Sequence, residues 1–550
     1  MTGARIVIET LIEQGVDVVF GYPGGQVLNL YDELYAYSDK IKHILTAHEQ
    51  GAAHAADGYA RVTGKVGVVI ATSGPGATNL ITGIANAHLD SVPMVAITGN
   101  VPCSLIGRDS FQEVDITGIS MPIVKHNYIV KDVTKLADVI REAFKIAKSG
   151  RPGPVLIDIP KDVQTAETEF VKQDAVEKYP FRKIDAELID EAAELIKQSK
   201  KPFIYCGGGV VSSGACHAVS ELADMIDAPI GTSMMGLSSI SADNPRMLGM
   251  VGMHGRYAST KTKSVSDLII ALGVRFSDRA TGKKEAYMPQ AKIIHIDIDP
   301  AEINKNISSD IGISGNVLEA LNMLMKRLTP VKREEWQAEI AKIRDFEYKH
   351  TQAASGMTPY NVIECVNKYT TPDTPVATDV GQHQMWTAQR YKFRASRKFI
   401  TSGGLGTMGF GMGAAIGACI GTGERTVLFT GDGSFGMNLN ELATVVSQKL
   451  PVVIIIMDNG VLGMVRQWQT MFYNKHYSQT TLNRKTDFVK LADAFGLKGF
   501  RADSIEKLDE CLAEAFKTDG PVLIDCMIDK DEKVLPMIPP NGTIEDLIIE

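Results

Sequence analysis

Two polar residues that follow consecutive apolar runs are the first candidates for chemistry in this sequence. Asp432 lies in a Gly-Asp-Gly-Ser tetrapeptide directly after the largely apolar residues 426–430, and Asn459 directly follows the apolar residues 451–457. Because residues 437–449 between them have helical apolar spacing, we predict a strand–helix–strand unit with both polar residues at the ligand-binding edge of a sheet. A carboxylate and an amide oxygen suit Mg²⁺, and the turn can present N–H groups to an anion. The stretch predicts a magnesium–diphosphate site, with an ordinary turn carrying an exposed aspartate as the alternative.

A second glycine-rich stretch leaves another function open. Residues 404–409 fit the pattern GxGxxG, follow the strand-like residues 398–401 and precede a segment expected to be helical. Asp432 lies about where the ribose-binding acid of a nicotinamide oxidoreductase would be. Such an acid needs neither Gly-Asp-Gly-Ser around it nor a matching Asn459. We therefore favour the magnesium–diphosphate site, with the oxidoreductase as a rival.

Glu49 is a third candidate. It follows the strand-like residues 41–45 and opens an Ala-rich segment that we expect to be a tightly packed helix. An acid in the first turn of a helix is most often only a charge partner of the helix N-terminus. His48 and His54 are six residues apart and lack the i, i+4 spacing of a zinc-binding helix, so we reject a metal site here.

The bulk composition argues against several classes of protein. The net charge of −8, without a long basic block, argues against a nucleic-acid partner. The seven cysteines form no CxxC pair, so neither a zinc ribbon nor a disulfide framework is expected and a reducing compartment fits. We expect no signal peptide and no membrane span, because an amphipathic helix begins at once and no apolar run is long enough. These features predict a cytoplasmic protein.

The length and patterning predict three α/β domains. A chain of 550 residues is too long for one core. Apolar strands separated by helices predict doubly wound parallel sheets in residues 1–165, 185–330 and 358–530, followed by a C-terminal tail at 531–550. The charged residues 164–184 and 330–356 are expected to be linkers, the second one helical. Prolines in the tail are expected to exclude regular structure.

The sequence resembles thiamine-diphosphate enzymes and, among them, most closely the catalytic large subunits of the acetohydroxyacid synthase (acetolactate synthase) family. Gly-Asp-Gly with Asn459 is similar to their diphosphate motif, and His-Glu-Gln-Gly-Ala at 48–52 to the segment of their pyrimidine-side glutamate. The resemblance covers nearly the whole chain. Further matching segments are 20–25, 72–79, 111–115, 151–155, 379–386, 463–468 and 536–540. It implies a pyrimidine-binding domain, a central FAD-type domain and a diphosphate-binding domain, in that order.

The resemblance implies roles for the residues around the reactive end of thiamine diphosphate. Glu49 would bond N1′ of the aminopyrimidine and favour the imino form, which acts as the base toward C2 of the thiazolium. Met408 would lie under the thiazolium and force a bent cofactor shape, with simple core packing as its alternative. The Gly406 carbonyl would receive the 4′-amino hydrogen, so that the GxGxxG stretch becomes part of the thiamine site.

The diphosphate and metal ligands are also implied by the resemblance. The residues expected around the diphosphate are Gln382, His383, Gly431, Asp432, Gly433 and Ser434. Mg²⁺ would take Asp432, Asn459 and a backbone oxygen of Val461. Many relatives have Asn-Asn where this chain has Asp458-Asn459, and Asp458 is not assigned to the metal.

The resemblance further implies the substrate contacts and the reaction. Pyruvate would be decarboxylated and joined to a second 2-keto acid, either pyruvate or 2-ketobutyrate, giving 2-acetolactate or 2-aceto-2-hydroxybutyrate. This is the first common step of branched-chain amino-acid biosynthesis. Arg279 would bind the acceptor carboxylate, a surface salt bridge being the alternative, and Trp468 would line the acceptor pocket. Gln112 and Lys161 match further active-site positions.

The central domain resembles one that binds FAD without using its redox chemistry. The matching residues are Arg151, Gly207, Gly208, Gly209, Met253, His254, Gly273, Arg275 and Asp297. Two departures concern this domain: relatives often have Gly-Asp at Gly315-Asn316 and Phe-Asp at Phe276-Ser277. FAD is therefore an expectation that needs a test.

The resemblance also implies an assembly. We expect a homodimer or tetramer in which Glu49 of one subunit faces Asp432 of the other, with a small regulatory subunit as a further partner. Another thiamine-diphosphate enzyme, such as pyruvate oxidase or glyoxylate carboligase, remains an alternative. A nicotinamide oxidoreductase and a non-catalytic flavin-binding relative are more remote.

Overall fold

The chain folds around three sheets, each of six parallel strands, in a computed structural model that describes residues 1–175, 182–284, 287–351 and 354–549. Side chains from alternate positions of the first sheet, such as Val68 and Val69, enter different hydrophobic cores, so that sheet is covered on both faces. Strands buried in this way have nearly continuous apolar sequences. The predicted α/β fold with three parallel sheets is confirmed.

The first sheet has the strand order β2-β1-β3-β4-β6-β5. Its strands are β1 (Val18–Tyr22), β2 (Lys42–Leu45), β3 (Gly67–Ala71), β4 (Met94–Asn100), β5 (His126–Ile129) and β6 (Pro154–Pro160). Its helices are α1 (Gly3–Glu13), α2 (Leu28–Ala36), α3 (Glu49–Thr63), α4 (Pro75–Asn79), α5 (Ile81–Leu89), α6 (Ile116–Ser120), α7 (Leu136–Lys148) and α8 (Lys161–Thr165).

The second sheet has the order β12-β11-β10-β7-β8-β9. Its strands are β7 (Pro202–Cys206), β8 (Ile230–Thr232), β9 (Met247–Met250), β10 (Leu268–Leu272), β11 (Lys292–Asp297) and β12 (Ile311–Ser314). Its helices are α9 (Ala186–Gln198), α10 (Gly208–Ser212), α11 (Cys216–Met225), α12 (Tyr257–Ser264), α13 (Asp278–Thr281), α14 (Val317–Met325) and α15 (Glu334–His350). This is the strand order of dinucleotide-binding folds, with the switch point between β7 and β10.

The third sheet has the order β14-β13-β15-β16-β18-β17, which repeats the topology of the first. Its strands are β13 (Val376–Thr378), β14 (Phe399–Ile400), β15 (Thr426–Gly431), β16 (Val452–Asp458), β17 (Lys498–Ala502) and β18 (Val522–Met527). Its helices are α16 (Pro359–Asn367), α17 (Gln382–Arg390), α18 (Phe410–Thr422), α19 (Asp432–Asn438), α20 (Leu442–Ser447), α21 (Gly463–Phe472), α22 (Phe488–Phe495) and α23 (Ile505–Ala515).

The first and third domains share one core within the chain. Alanines of α3 and α18, including Ala52, Ala56, Ala414 and Ala418, are all buried in it. Small side chains let two helix backbones approach closely, so this interface is tight. The helix that begins with Glu49 is therefore packed directly onto the third domain of its own chain.

Two local predictions are corrected by the structure. The helix expected over 437–449 is divided into α19 and α20 by a 3₁₀ turn at Leu439–Glu441, and α19 begins already at Asp432. The expected linker at 330–356 contains α15, as predicted, but that helix packs against the second sheet. Its Trp336 is buried and donates from Nε1 to the Pro202 carbonyl at 3.1 Å. A largely charged sequence concealed the few apolar residues that fix it.

The C-terminal tail also contains a little regular structure. A 3₁₀ turn forms at Ile544–Asp546, and Met537 bridges Ile548. The prediction of an irregular tail is therefore wrong at these positions. No helix in the described part of the chain is both long enough and apolar enough to cross a bilayer. Residues 176–181, where part of the first predicted linker falls, lie outside the described residues.

Candidate active site

A cavity lies at the carboxyl edge of the third sheet, where β13, β15 and β16 end. It has a volume of about 80 Å³. The predicted residues that line it are Gln382, His383, Met408, Gly431, Asp432, Gly433, Ser434, Asn459 and Val461. The structure thus brings together, in one cavity, every predicted diphosphate and metal ligand.

The local fold explains how the polar groups reach this cavity. Gly431 ends β15 and is the N-cap of α19, so Asp432 is the first residue of that helix. The Ser434 hydroxyl donates to the Val380 carbonyl at 2.8 Å, and the Val461 N–H donates to Asn459 Oδ1 at 3.1 Å. Free N–H groups at a helix N-terminus favour an anionic ligand.

The electrostatics of the cavity fit a bound cation and anion. Asp432 is buried next to Asp458, and burial together with that second carboxylate raises the pKa of Asp432. Burial lowers the pKa of His383 to about 3, and its Nε2 is buried without a hydrogen-bond partner. A divalent cation would offset the repulsion between the carboxylates, and an anion's oxygen atom would satisfy a neutral imidazole N–H.

The donor set fits one magnesium ion rather than a softer metal. Asp432, Asn459 and the Val461 carbonyl would supply a carboxylate, an amide and a backbone oxygen, which are hard ligands. Among the described residues there is no group of three or more His, Cys, Asp or Glu side chains arranged to hold a metal. The three oxygen ligands would leave room in the coordination sphere for phosphate and water oxygens.

Gln382 has a second set of partners that the sequence did not predict. Its Nε2 donates to Gln467 Oε1 at 3.0 Å and to the Glu532 carbonyl at 2.8 Å, while its Oε1 accepts from Asn459 Nδ2 at 3.5 Å. Gln467 in turn accepts from the Val534 N–H at 2.9 Å. The side chains of Gln382 and Gln467 therefore link the C-terminal tail to the cavity through hydrogen bonds.

The loop that carries Gly406 and Met408 is held by buried carboxylates. Asp379 accepts from the N–H groups of Gly409 and Gly411 at 2.8 and 3.2 Å. Asp90, from the first domain, accepts from the N–H groups at 403 and 404. Met408 is only partly buried and lines the cavity, which disfavours the core-packing alternative.

Glu49 occupies a separate site in the first domain. It is the first residue of α3, and Asn79 Nδ2 donates to its Oε2 at 3.0 Å. Its Oε1 lies close to Gly76, in the turn that opens α4. Gln112 has a positive φ of 59°, and its backbone contacts Gly74 in that same turn. Gln112 and the Glu49 carboxylate therefore lie against the same turn, at Gly74 and Gly76 respectively.

Glu49 is not among the residues that line the cavity at the third sheet. Within one chain, Glu49 therefore lies outside the lining of the cavity that contains Asp432. Lys161 also lies in the first domain, as the first residue of α8, where its Nζ donates to the Gly25 carbonyl at 3.3 Å.

Arg279 and Trp468 meet where the second and third domains adjoin. The Arg279 guanidinium lies 6.0 Å from the centre of the Trp468 ring, and its side chain is 65% exposed. Its nearest acid, Asp278, is 3.7 Å away. Met253 is next to Arg279, with an Nη1–Sδ distance of 3.9 Å, and accepts at its carbonyl from the Ile538 N–H of the tail. This cation stacked on an indole is accessible to a substrate carboxylate.

His254 lies at the same junction as Met253. It is buried, its carbonyl accepts from Gln389 Nε2 at 2.9 Å, and its Nδ1 has no partner. Burial lowers the pKa of His254 to about 4, so the ring is neutral at neutral pH.

The other residues predicted to contact FAD surround the switch point of the second sheet. Gly207 and Gly209 follow β7 and cross the Gly273 loop that follows β10; a Cβ at Gly207 would overlap the Gly273 carbonyl. Gly208 faces Met235. Gly207 and Gly209 are therefore required by the close approach of the two loops, whether or not a dinucleotide binds there.

Charged residues of both signs surround this switch point. Burial, and then the nearby Arg151, lower the pKa of Arg275. Arg151 Nη1 pairs with Glu302 at 2.9 Å. Asp297 ends β11 and is buried, which raises its pKa to about 6. A negatively charged ligand beside the two guanidinium groups would relieve their mutual repulsion.

Sequence reasoning gave no role to several residues that organise these sites. Asn79 and Asp379 lie inside matching segments but show their partners only in three dimensions. Gln467 and Asp90 act across domains, and no local spacing indicates that. The sequence marks such residues only as polar side chains among apolar neighbours. That pattern does not show which residue each of them contacts.

Comparison with known proteins identifies the family. The N-terminal TPP binding domain of thiamine pyrophosphate enzymes matches residues 1–119, the central domain of those enzymes matches 189–324, and their C-terminal TPP binding domain matches 379–526. The two thiamine pyrophosphate binding domains contain the Glu49 site and the cavity at the third sheet, respectively.

Full-length relatives identify the group of thiamine pyrophosphate enzymes to which the chain belongs. The probable acetolactate synthase large subunit of Methanocaldococcus jannaschii is 45% identical over 100% of this chain and 95% of its own length. The acetolactate synthase isozyme 2 large subunit of Escherichia coli is 43% identical, over 100% and 99%. The acetolactate synthase of Mycobacterium bovis is 46% identical, over 100% and 91%. The chain therefore belongs to the acetolactate synthase large subunits, a family of thiamine-diphosphate enzymes, and its activity is that of an acetolactate synthase.

Proposed function

We propose that the cavity at the third sheet binds the diphosphate of thiamine diphosphate together with Mg²⁺. Asp432, Asn459 and the Val461 carbonyl would be the metal ligands, and Gln382, His383 and the 431–434 turn would contact the diphosphate. The partnerless Nε2 of His383 and the paired carboxylates Asp432 and Asp458 support the proposal, because each is costly to bury without a ligand.

We further propose that the active site is shared between two chains. The observation that carries this proposal is the separation of Glu49 from the cavity that holds Asp432. Exposed apolar side chains beside the two halves, such as Phe111 in the first and Met437 and Val465 in the third domain, support it. Such groups favour burial against another protein surface. A homodimer would bring the first domain of one chain onto the third domain of its partner, and a tetramer would pair two such dimers.

Bound thiamine diphosphate supplies a carbon nucleophile that adds to the keto group of pyruvate and accepts the electrons released with CO₂. Residues of this chain would exchange the proton, support the cofactor and exclude water. The Glu49 carboxyl, held in place by Asn79, would exchange a proton with N1′ of the aminopyrimidine. Met408 would contact the cofactor ring, and the apolar residues of the cavity wall would help to exclude water. Gln112 and Lys161 would complete the substrate side of the first domain.

Acceptor binding would depend on Arg279 and Trp468. A guanidinium can bind a 2-keto acid carboxylate through two hydrogen bonds, and among the described residues no acid lies within hydrogen-bonding distance of this one. The indole face would contact the methyl group that distinguishes 2-ketobutyrate from pyruvate. We therefore propose that both 2-keto acids are acceptors.

Replacing Trp468 by Leu should change the choice of acceptor more than the overall rate. One methylene is worth about 1–3 kcal/mol in an apolar pocket, so loss of the indole should reduce any preference for 2-ketobutyrate by roughly tenfold. The measurement is the ratio of 2-aceto-2-hydroxybutyrate to 2-acetolactate when pyruvate and 2-ketobutyrate compete.

Tyr473→Leu is the matched control, because this exposed aromatic side chain lies at the end of the same helix. An unchanged ratio in Trp468→Leu would contradict the role of the indole. Acetyl phosphate or peroxide instead of either acetohydroxy acid would contradict the proposed substrates.

We also propose that the second domain binds FAD at its switch point. The dinucleotide-type strand order and the partly buried Arg275 beside Arg151 support this. Asp297 would face the sugar, and Arg275 would offset the diphosphate charge. Met253 and His254 would then extend the flavin contacts toward Arg279.

The purified protein should therefore release flavin when it is denatured. Arg275→Ala should weaken flavin binding about 10- to 100-fold, the loss expected for a hydrogen bond to a charged group. Arg394→Ala, which removes a surface pair with Asp243, should not. Flavin absorbance of the denatured, filtered protein gives the content directly. A wild-type protein that takes up no added flavin would refute the proposal.

We also propose a small regulatory subunit as a partner. Relatives are named as large subunits, which implies a smaller partner for those proteins. We also propose a cytoplasmic location, which is supported by the free state of all seven cysteines.

A further inference from the structure

Glu441 is a fully buried acid in the third domain whose carboxylate binds the first domain. It ends the 3₁₀ turn Leu439–Glu441 between α19 and α20. One oxygen accepts from the Ala47 N–H and the other from the His48 N–H, both at 3.1 Å. Thr444 Oγ1 donates to the same carboxylate at 2.6 Å. The carboxylate therefore bridges two domains of one chain.

The two N–H groups belong to the residues directly before Glu49, where α3 begins. The contact is close enough that a Cβ at position 51 would overlap the Glu441 carboxylate, and position 51 is Gly. Hydrogen bonds from backbone N–H groups to a carboxylate are roughly twice as strong as those between neutral groups. Glu441 thus fixes the start of the helix whose first side chain is the Glu49 carboxylate.

Residues 432–441, the segment that ends at Glu441, begin at the cavity of the third sheet. Asp432 is the first residue of α19, and the 3₁₀ turn that ends at Glu441 follows directly after that helix. One end of residues 432–441 therefore lines the diphosphate cavity, while the other end holds the N-terminus of α3. If sites are shared between chains, these two ends serve different active sites of the dimer.

We propose that Glu441 is a positioning residue that sets the Glu49 carboxylate of its own chain, and so acts on the active site opposite the one that contains its own Asp432. This inference rests on the proposed sharing of the active site. It assigns Glu441 a role in turnover without any contact with cofactor or substrate.

Glu441→Gln is the most informative substitution, because it keeps the size of the side chain. The amide can accept from only one of the two N–H groups and presents a donor to the other. A displacement of about 1 Å at a catalytic group can cost roughly 100-fold in rate. In the homodimer we expect kcat to fall by at least about tenfold, with the KM for pyruvate and the affinity for thiamine diphosphate unchanged. Glu424→Gln, an exposed change in the same domain, is the control.

Mixed dimers, isolated with two affinity tags, test which active site Glu441 serves. In the first mixed dimer, one chain carries both Glu49→Gln and Glu441→Gln and the other is wild type. In the second, each chain carries one of the two substitutions. The composition is identical, so a general folding defect affects both equally.

The first mixed dimer should retain about half of the wild-type activity, because one of its two symmetric sites is intact. The second should be at least about tenfold less active than the first, because Glu49 is replaced at one site and misplaced at the other. If Glu441 served its own diphosphate cavity, the order would be reversed. A reversed order, or equal activities, would overturn the proposal.

A separate mixture keeps failure of the shared site distinguishable. Chains carrying Glu49→Gln mixed with chains carrying Asp432→Asn should regain activity if sites are shared, whatever Glu441 does. If this mixture stays inactive, the shared site is refuted. If it recovers activity and the two mixed dimers above do not differ as expected, only the role of Glu441 is refuted.

Discussion

Glu49→Gln is expected to lower kcat for pyruvate by about 10²–10⁴-fold, the range that a positioned acid–base group contributes. Gln has nearly the same shape and can still accept the Asn79 hydrogen bond, but it cannot exchange a proton with the cofactor ring. Binding of thiamine diphosphate should therefore change little. Steady-state formation of 2-acetolactate, together with calorimetric titration of the cofactor, separates the two effects.

The matched control is Glu335→Gln, an exposed glutamate near the start of α15. It removes the same charge at a distance from the site and should leave kcat unchanged. Full activity of Glu49→Gln would refute the acid–base role. A loss of cofactor binding with normal kcat at saturation would instead indicate a purely structural role.

The second large effect is expected for Asp432→Asn. Loss of the anionic metal ligand should weaken binding of Mg²⁺ and thiamine diphosphate by at least about 10- to 100-fold. That is the loss typical when a residue that contacts only a metal ligand, and not the metal, is replaced. The cofactor-free protein should nevertheless be as stable as the wild type or more so, because burial and Asp458 already raise the pKa of Asp432. Calorimetric titration and thermal unfolding without ligand test both expectations.

Asp458→Asn provides the comparison for this result. It removes the same carboxylate repulsion but leaves the proposed ligand in place, so cofactor binding should be affected less. Wild-type cofactor affinity in Asp432→Asn would show that the metal lies elsewhere. A cofactor-free Asp432→Asn that is much less stable would contradict the electrostatic account of the cavity.

The strand pattern of this chain could be predicted because buried parallel strands are nearly continuous apolar runs. The strands predicted at residues 426–430 and 451–457 are observed as β15 and β16; β15 is one residue longer than predicted, and β16 is displaced by one residue toward the C-terminus. The helix over 437–449 was predicted from spacing alone and is interrupted. Asn438 donates to the Gly409 carbonyl and Glu441 accepts from the first domain. Tertiary hydrogen bonds of that kind outweigh local periodicity.

The candidate site was only partly accessible from the sequence. Strand ends placed Asp432 and Asn459 on one edge, since the carboxyl ends of parallel strands meet there. The first-domain partners of Glu441 are nearly four hundred positions away in the chain, and the third-domain partners of Asp90 more than three hundred. No local pattern encodes such contacts. The separation of Glu49 from the cavity likewise appears only once the chain is folded.

The most direct test of the account mixes two inactive variants. Glu49→Gln and Asp432→Asn chains are unfolded together, refolded with thiamine diphosphate and Mg²⁺, and assayed for 2-acetolactate. Random pairing gives one intact site in half of the dimers, so we predict recovery of about one quarter of the wild-type activity. With cofactor and Mg²⁺ at concentrations that just saturate the wild type, homodimers of either variant, treated alike, should stay far below that activity. A mixture no more active than its two parents would contradict a site built from Glu49 of one chain and Asp432 of its partner.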